Sequence, residues 1–189
     1  MILSKLAHGA LRSLGWTVHM DDPLTSRYVL VVAPHTSNWD FPLGLLAAWA
    51  LDLKANWIGK HSLFRGPMGP VMRALGGIPV DRTAASDLVD QMAERFAASD
   101  HLVLGMAPEG TRSTSDHWKT GFWRIARAAE VPIAMAYLDY GRREIGLGVT
   151  FLPSEDRDAD FDRFAAIYAG RQGLRPETQG AIQARSPEA

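Results

Sequence analysis

The chain has no cysteine among its 189 residues, which removes disulfides, thiolate nucleophiles, zinc ribbons and iron–sulfur clusters together and leaves the redox compartment undetermined. It lacks a charge imbalance as well. Lys and Arg number 20 against 21 Asp and Glu, a formal net charge of -1, so the broad basic footprint of a nucleic-acid-binding protein is missing and no nucleic-acid partner is expected. Long hydrophobic runs are absent too. The longest, Phe41 to Leu51, falls short of the roughly 18 residues that cross a bilayer, so no transmembrane helix is expected. No signal peptide is expected either, because Ile2, Leu3, Leu6, Leu11 and Leu14 form a helical stripe interrupted by Lys5 and Arg12, not an apolar block before a cleavage site. The stripe over 1–14 has two readings: an interfacial helix lying on a membrane, or a short helix packed on the domain's own core.

What is present fits one globular α/β domain spanning 1–189. The apolar fraction of 47% and charged fraction of 22% are ordinary for a soluble domain. A chain of this length buries roughly 70% of the surface its unfolded form exposes, enough for a core without metal or disulfide staples. Apolar periodicity predicts helices at 2–13, 41–52, 62–75, 84–98, 119–130 and 159–171. Between them fall strands at 16–20, 28–33, 55–59, 77–80, 101–107, 132–139 and 144–151. Tyr28 to Ala33 and His101 to Met106 are continuous apolar runs, as expected of strands covered on both faces, whereas Ile145 to Phe151 alternates and belongs nearer an edge. The expected architecture is a mixed, mostly parallel sheet flanked by helices. The segment from Gly170, and 172–189 in particular, is rich in Gly, Gln, Pro and Arg and is expected to be a poorly ordered tail.

Chemistry concentrates where strands end. Pro34 to Asp40 follows a buried strand and precedes a helix, the place where open α/β sheets bind ligands. There His35 is suited to general-base work, and a carboxylate on its other ring nitrogen would fix its tautomer. Asp40 is the candidate, although Asp40-Phe41-Pro42 also reads as a plain helix cap. The pair alone is too small a ligand set for a metal. After the next buried strand, Glu109, Gly110, Thr111, Arg112 and Ser113 read as an anion-binding loop, with Gly110 for a sharp turn, Arg112 as a forked donor and Glu109 holding the arginines in place. The alternative is a surface turn with a Glu–Arg pair. A third block, Gly76 to Arg82, stops a helix, runs a short strand whose Pro79 argues for an edge, and delivers Arg82 to the same kind of strand end. Residues 54–82 also carry an excess of positive charge through Lys54, Lys60, Arg65, Arg73 and Arg82, against Asp81 alone. No G-x-S-x-G elbow is present, and Ser37 lies in the histidine's own loop, so a serine triad is not expected. A base without a nucleophile points to activation of a hydroxyl that the substrate supplies.

Over residues 28–138 these blocks resemble the PlsC-like glycerolipid (lysophosphatidic acid) acyltransferases. His35-Thr-Ser-Asn-Trp-Asp40 looks like that family's H-x4-D box, Gly77 to Arg82 like its second block, Glu109-Gly-Thr-Arg-Ser113 like its third and Val131-Pro-Ile133 like its fourth, in the same order and spacing. Lys60 to Phe64, with Gly66 and Pro67, is similar to the family's segment between the first two blocks. The resemblance implies a glycerol-3-phosphate acyltransferase-like fold and acyl transfer from acyl-CoA or acyl-carrier protein, as co-substrate, to a hydroxyl of a lysophospholipid acceptor, with 1-acyl-glycerol-3-phosphate first in expectation. It implies no metal, no other cofactor and no covalent enzyme intermediate. By the same resemblance His35 and Asp40 are catalytic, and Arg82, Glu109, Gly110, Thr111 and Arg112 bind or shape the acceptor's phosphate site. Val131, Pro132 and Lys60 then go with the acyl donor. Backbone N–H groups near the helix start after Asp40 are the first place to look for oxyanion stabilisation. The expected location is peripheral, on the cytoplasmic face of a membrane. Two other functions fit the same residues: a thioesterase-like hydrolase in which His35 activates water, and a non-catalytic lipid- or phosphate-binding module.

Overall fold

The computed structural model describes residues 2–21, 25–80 and 85–184. Its centre is a seven-stranded sheet in the order β1-β7-β6-β2-β5-β3-β4. The strands are β1 (Thr17–Met20), β2 (Arg27–Ala33), β3 (Ala55–Lys60), β4 (Gly77–Val80), β5 (Leu102–Met106), β6 (Ile133–Asp139) and β7 (Glu144–Phe151). All neighbouring pairs run parallel except β6 and β7, which form an antiparallel hairpin. The mixed, mostly parallel sheet is as expected, and Pro79 does lie on an edge strand, where its missing N–H breaks no ladder. The alternating strand β7 sits one place in from the other edge.

The helices are α1 (Ile2–Ser13), α2 (Asp40–Ala50), α3 (Met68–Ala74), α4 (Ala85–Ala97), α5 (Gly121–Ala128) and α6 (Arg157–Tyr168). Strand alternation divides the core between them. Val29, Val31 and Ala33 of β2 point to one face and pack with Met92 and Phe96 of α4, Phe122 and Ile125 of α5, and Phe161 and Phe164 of α6. Tyr28, Leu30 and Val32 point to the opposite face. On that face Ala7 and Leu11 of α1 pack with Leu43 and Ala47 of α2. The N-terminal stripe is therefore split: Ala7 and Leu11 are buried, while Ile2, Leu3 and Leu6 stay exposed.

Two stretches depart from the sequence reading. The single helix expected over 62–75 is broken into a short 3-10 turn, His61–Phe64, and α3, because Gly66 takes a left-handed φ of 64° and Pro67 follows it. The described part of the segment expected to be a poorly ordered tail runs instead as a strap across the carboxyl edge of the sheet as far as Ala184, and 185–189 lie outside the described residues. Tyr140 N–H donates to Gln172 O at 2.8 Å, Arg175 N–H to Thr36 Oγ1 at 3.2 Å and Trp118 N–H to Gln183 O at 2.9 Å. These bonds satisfy backbone groups on both sides, which composition alone does not reveal.

Candidate active site

Three strands deliver expected residues to one edge. In the order β2, β5, β3 and β4, His35 follows the first strand, Glu109 to Arg112 the second, and Lys60 ends the third. Arg82, after the fourth, lies outside the described residues.

The loop after β2 is closed by a dense set of hydrogen bonds. His35 Nδ1 lies 3.0 Å from Asp40 Oδ2, with the imidazole 23% exposed and the carboxylate only 2%. An ionised carboxylate accepts and cannot donate, so Nδ1 carries the proton and Nε2 keeps its lone pair. Asp40 does more than orient the ring. Oδ2 also accepts the Thr36 and Ser37 backbone N–H groups, each at 2.8 Å, and Oδ1 accepts the Tyr140 hydroxyl at 2.7 Å. Burial pushes this carboxyl up, but hydrogen bonds from His35, Tyr140 and the Ser37 N–H outweigh burial and hold it below the ordinary Asp value. Asp40 is the first residue of α2, and the residue before the helix, Trp39, makes no side-chain cap, so the plain capping reading gives way to one in which the carboxylate ties the loop to the histidine. Ser37 Oγ accepts the Trp39 N–H at 3.1 Å, consistent with its dismissal as a nucleophile. The Thr36, Ser37 and Trp39 N–H groups are thus already committed, which narrows the expected source of oxyanion donors.

Glu109 is the bridge between the loops. The sequence suggests that it steadies arginines; among the described residues it makes no ion pair, and Arg82 lies outside them. Both of its oxygens take the His35 backbone N–H, at 2.9 and 3.1 Å. Its carboxyl lines a cavity of about 20 Å³ walled by Ala33, Pro34, Trp118 and Tyr168. Burial pushes this carboxyl up to about 7, against the opposing pull of the His35 N–H. The surface Glu–Arg turn is therefore not what forms. Beyond Glu109 the loop opens: Gly110 takes a φ of 67°, Thr111, Arg112 and Ser113 are exposed, and Thr111 Oγ1 and Ser113 Oγ share one hydrogen bond of 2.8 Å.

Val131 and Pro132 are not brought to this edge. They precede β6, and Ile133 pairs with Val29, six residues before His35, so they sit about 20 Å away at the opposite end of the sheet. Val131 is buried in the core there, and Pro132 O accepts the Val29 N–H at 3.0 Å. Tyr140 is the residue that sequence reasoning missed. It follows β6, the other parallel neighbour of β2, so the strand-end rule that singled out His35 also reaches Tyr140. Its ring stands edge-on to Trp16 with centroids 4.9 Å apart, and burial followed by the Asp40 carboxylate raises its phenol, which keeps it a donor. Among the described residues, no group of three or more His, Asp or Glu side chains gathers as a metal-ligand set would.

A protein-family model described as Acyltransferase matches residues 15–138, well over half of the chain, including the loops that carry His35 and Glu109. The chain belongs to the Acyltransferase family. Among solved structures, this acyltransferase is similar to the 1-acyl-sn-glycerophosphate (LPA) acyltransferase PlsC from Thermotoga maritima. The two are 18% identical with a TM-score of 0.57, over 90% of this chain and 80% of that one, a likeness of fold. A comparison with curated proteins finds no match. Tyr140 and the strap lie beyond the stretch that the family model covers.

Proposed function

We propose that this acyltransferase moves a fatty acyl chain from the thioester of acyl-CoA or acyl-carrier protein to a hydroxyl of a lysophospholipid-like acceptor, with 1-acyl-glycerol-3-phosphate as the leading acceptor. The observation that carries the reading is the His35–Asp40 pair, 3.0 Å apart, its carboxylate buried and its imidazole still open to solvent, at the strand end beside the loop that carries Arg112. His35 Nε2 takes the proton of the acceptor hydroxyl as that oxygen attacks the thioester carbonyl carbon. A carbon–oxygen bond forms and a tetrahedral oxyanion results. As it collapses, the carbon–sulfur bond breaks and the leaving thiolate takes the proton from His35, giving an ester and a free thiol. Asp40 stabilises the imidazolium between the two transfers. Arg112, together with Arg82, holds the acceptor's phosphate, Gly110 and Thr111 shape that loop, and Lys60 faces the donor.

The acceptor reaches the site from a lipid surface in this reading. No helix among the described residues is long and apolar enough to cross a membrane. Ile2, Leu3 and Leu6 on α1 and Trp39 and Phe41 beside His35 are exposed apolar side chains suited to peripheral contact, on the cytoplasmic face by our reading. Deleting residues 1–14 and neutralising Arg65 and Arg73 is expected to abolish flotation with anionic liposomes; unchanged flotation contradicts this attachment.

Mass spectrometry of products from acyl-CoA or acyl-carrier protein, with lysophosphatidic acid, monoacylglycerol or no acceptor, tests the reaction. Acylated lysophosphatidic acid that requires His35 is the expected product. Free fatty acid formed equally well without acceptor would make the enzyme a thioesterase, and tight lipid binding with no product from either donor would make the chain a binding module.

A further inference from the structure

The proposed reaction uses no residue of the strap over 170–184, yet the strap is tied down at both ends and touches the histidine loop in between. At the near end the Arg171 guanidinium lies 3.6 Å from the centroid of the Tyr137 ring, 3.4 Å from Glu144 Oε2 and 3.5 Å from the buried Asp139 carboxylate. At the far end the Trp118 backbone N–H donates to Gln183 O at 2.9 Å, and the Gln183 amide donates to Asp116 O at 2.8 Å. Between these anchors Gln179 pins a bend from within: its Oε1 accepts the Gly173 N–H at 2.8 Å and its Nε2 donates to Arg171 O at 3.1 Å. The bend is pressed onto Thr36, which is 1% exposed. A Cβ built on Gly173 would stand 2.5 Å from Thr36 Oγ1 and 2.8 Å from Cγ2, so only glycine allows this approach. Two residues on, the Arg175 N–H donates to the same Oγ1 at 3.2 Å.

What the strap grips are two residues that hold Asp40. Thr36 gives its own N–H to Asp40 Oδ2, the oxygen that faces His35 Nδ1. Tyr140, whose N–H donates to Gln172 O at 2.8 Å, gives its hydroxyl to Oδ1. Each carboxylate oxygen is therefore one residue removed from the strap, Oδ2 through Thr36 and Oδ1 through Tyr140. A carboxylate that must stay on an imidazole through two proton transfers needs partners that do not drift, and the strap fixes two of them from outside the loop.

We propose that the strap is a positioning element of the active site, in which Thr36, Gly173 and Gln179 are positioning residues that hold the Asp40 carboxylate against His35. The proposal deepens the acyltransferase reading and rests on it for the kinetic part of its test. These residues act on the reaction through Asp40, so they govern kcat and leave the acceptor KM alone.

The His35 Nδ1–H reports the contact directly, because a proton held between imidazole and carboxylate exchanges slowly with water. NMR of the full chain with isotope-labelled histidine, the signal assigned by its absence in His35→Gln, measures that exchange without substrate. Thr36→Val keeps the branched shape and removes the acceptor, leaving the Arg175 N–H unpaired, and Thr36→Ser restores the acceptor. Gln179→Met frees the bend at a distance from the loop, so the test stands even where Thr36→Val does not fold. Thr36→Val and Gln179→Met are each expected to speed the exchange about tenfold and to lower kcat about tenfold with the acceptor KM within about twofold. Thr36→Ser is expected to stay within about threefold of wild type on both. Variants that melt at lower temperature yet keep exchange and kcat within about twofold of wild type overturn the proposal and leave the strap a stabilising contact only. A Thr36→Ser chain that behaves like Thr36→Val overturns it as well. Wild type that forms no acylated product overturns the reaction instead, and the exchange rates then decide the strap: faster exchange in both variants supports it, and unchanged exchange overturns it.

Discussion

Two loops leave the carboxyl edge of the sheet side by side, one after β2 and one after β5, and they are built in opposite ways. The first buries Thr36, Ser37 and Asp40 and spends the Asp40 carboxylate on two backbone N–H groups, an imidazole and a phenol. The second, past Glu109, exposes Thr111, Arg112 and Ser113, with Thr111 Oγ1 bonded to the Ser113 hydroxyl and N–H. In the proposed reaction the contrast separates two tasks. Proton transfer needs a base held to a fraction of an ångström, and that requires a supporting shell of bonded groups. Recognition of a phosphate at the end of a mobile lipid needs charge and reach, which long exposed side chains supply. Glu109 joins the two, since it begins the open loop and grips the backbone of the closed one.

Breaking the closed loop has the largest expected consequence. Asp40→Asn places an amide where one oxygen accepts three donors, so it both loosens the loop and lets the imidazole choose the wrong tautomer. Its kcat is expected to fall about 10³-fold with KM for the acceptor little changed, measured by steady-state acylation. A fall below tenfold would mean that the loop geometry survives without the carboxylate.

Cutting the link between the loops acts on stability. Glu109 titrates at about 7 in the folded chain, above its ordinary 4.5, so between those values the folded state holds a proton that the unfolded chain has released. Stability therefore falls as pH rises through that window, by about 3 kcal/mol. Glu109→Gln removes this component, so denaturant unfolding from pH 5 to 7.5 is expected to show a downward slope in wild type that the variant lacks. Equal slopes would place the pH dependence elsewhere.

A smaller effect sharpens the closed side. Tyr140→Phe deletes one hydrogen bond of 2.7 Å to Asp40 and leaves the ring on Trp16. The expected loss is about tenfold in kcat, the size of one bond to a charged group, with the acid side of the pH–rate profile moved upward because Asp40 loses a bond that lowers its pKa. An unchanged profile would make Tyr140 packing only.

The contrast also marks how far the sequence could be read. The strand ends that carry His35 and Glu109 were legible because each follows a continuous apolar run, and Pro79 was enough to place β4 at an edge. The His35–Asp40 contact was legible because it closes within one short loop. What escaped was carried by distant pairs. Tyr140 reaches Asp40 across 100 residues and Arg175 reaches Thr36 across 139, and neither leaves a local pattern. Charge pairing is the local expectation for Glu109, whereas its partner among the described residues is a backbone N–H brought alongside by the parallel pairing of β2 and β5. The position of Val131 and Pro132 escapes for the complementary reason: their apolar character is plain in the sequence, but the direction of β6 puts them at the end of the sheet away from His35.

The most direct test of the division between the loops is to measure kcat and KM for His35→Ala and Arg112→Ala in one assay, with lysophosphatidic acid as acceptor. The account predicts that His35→Ala lowers kcat about 10²–10⁴-fold with KM nearly unchanged, whereas Arg112→Ala raises the acceptor KM about tenfold and leaves kcat within a few-fold. A His35→Ala enzyme that keeps its kcat, or two variants that change kcat and KM in the same proportion, would contradict it.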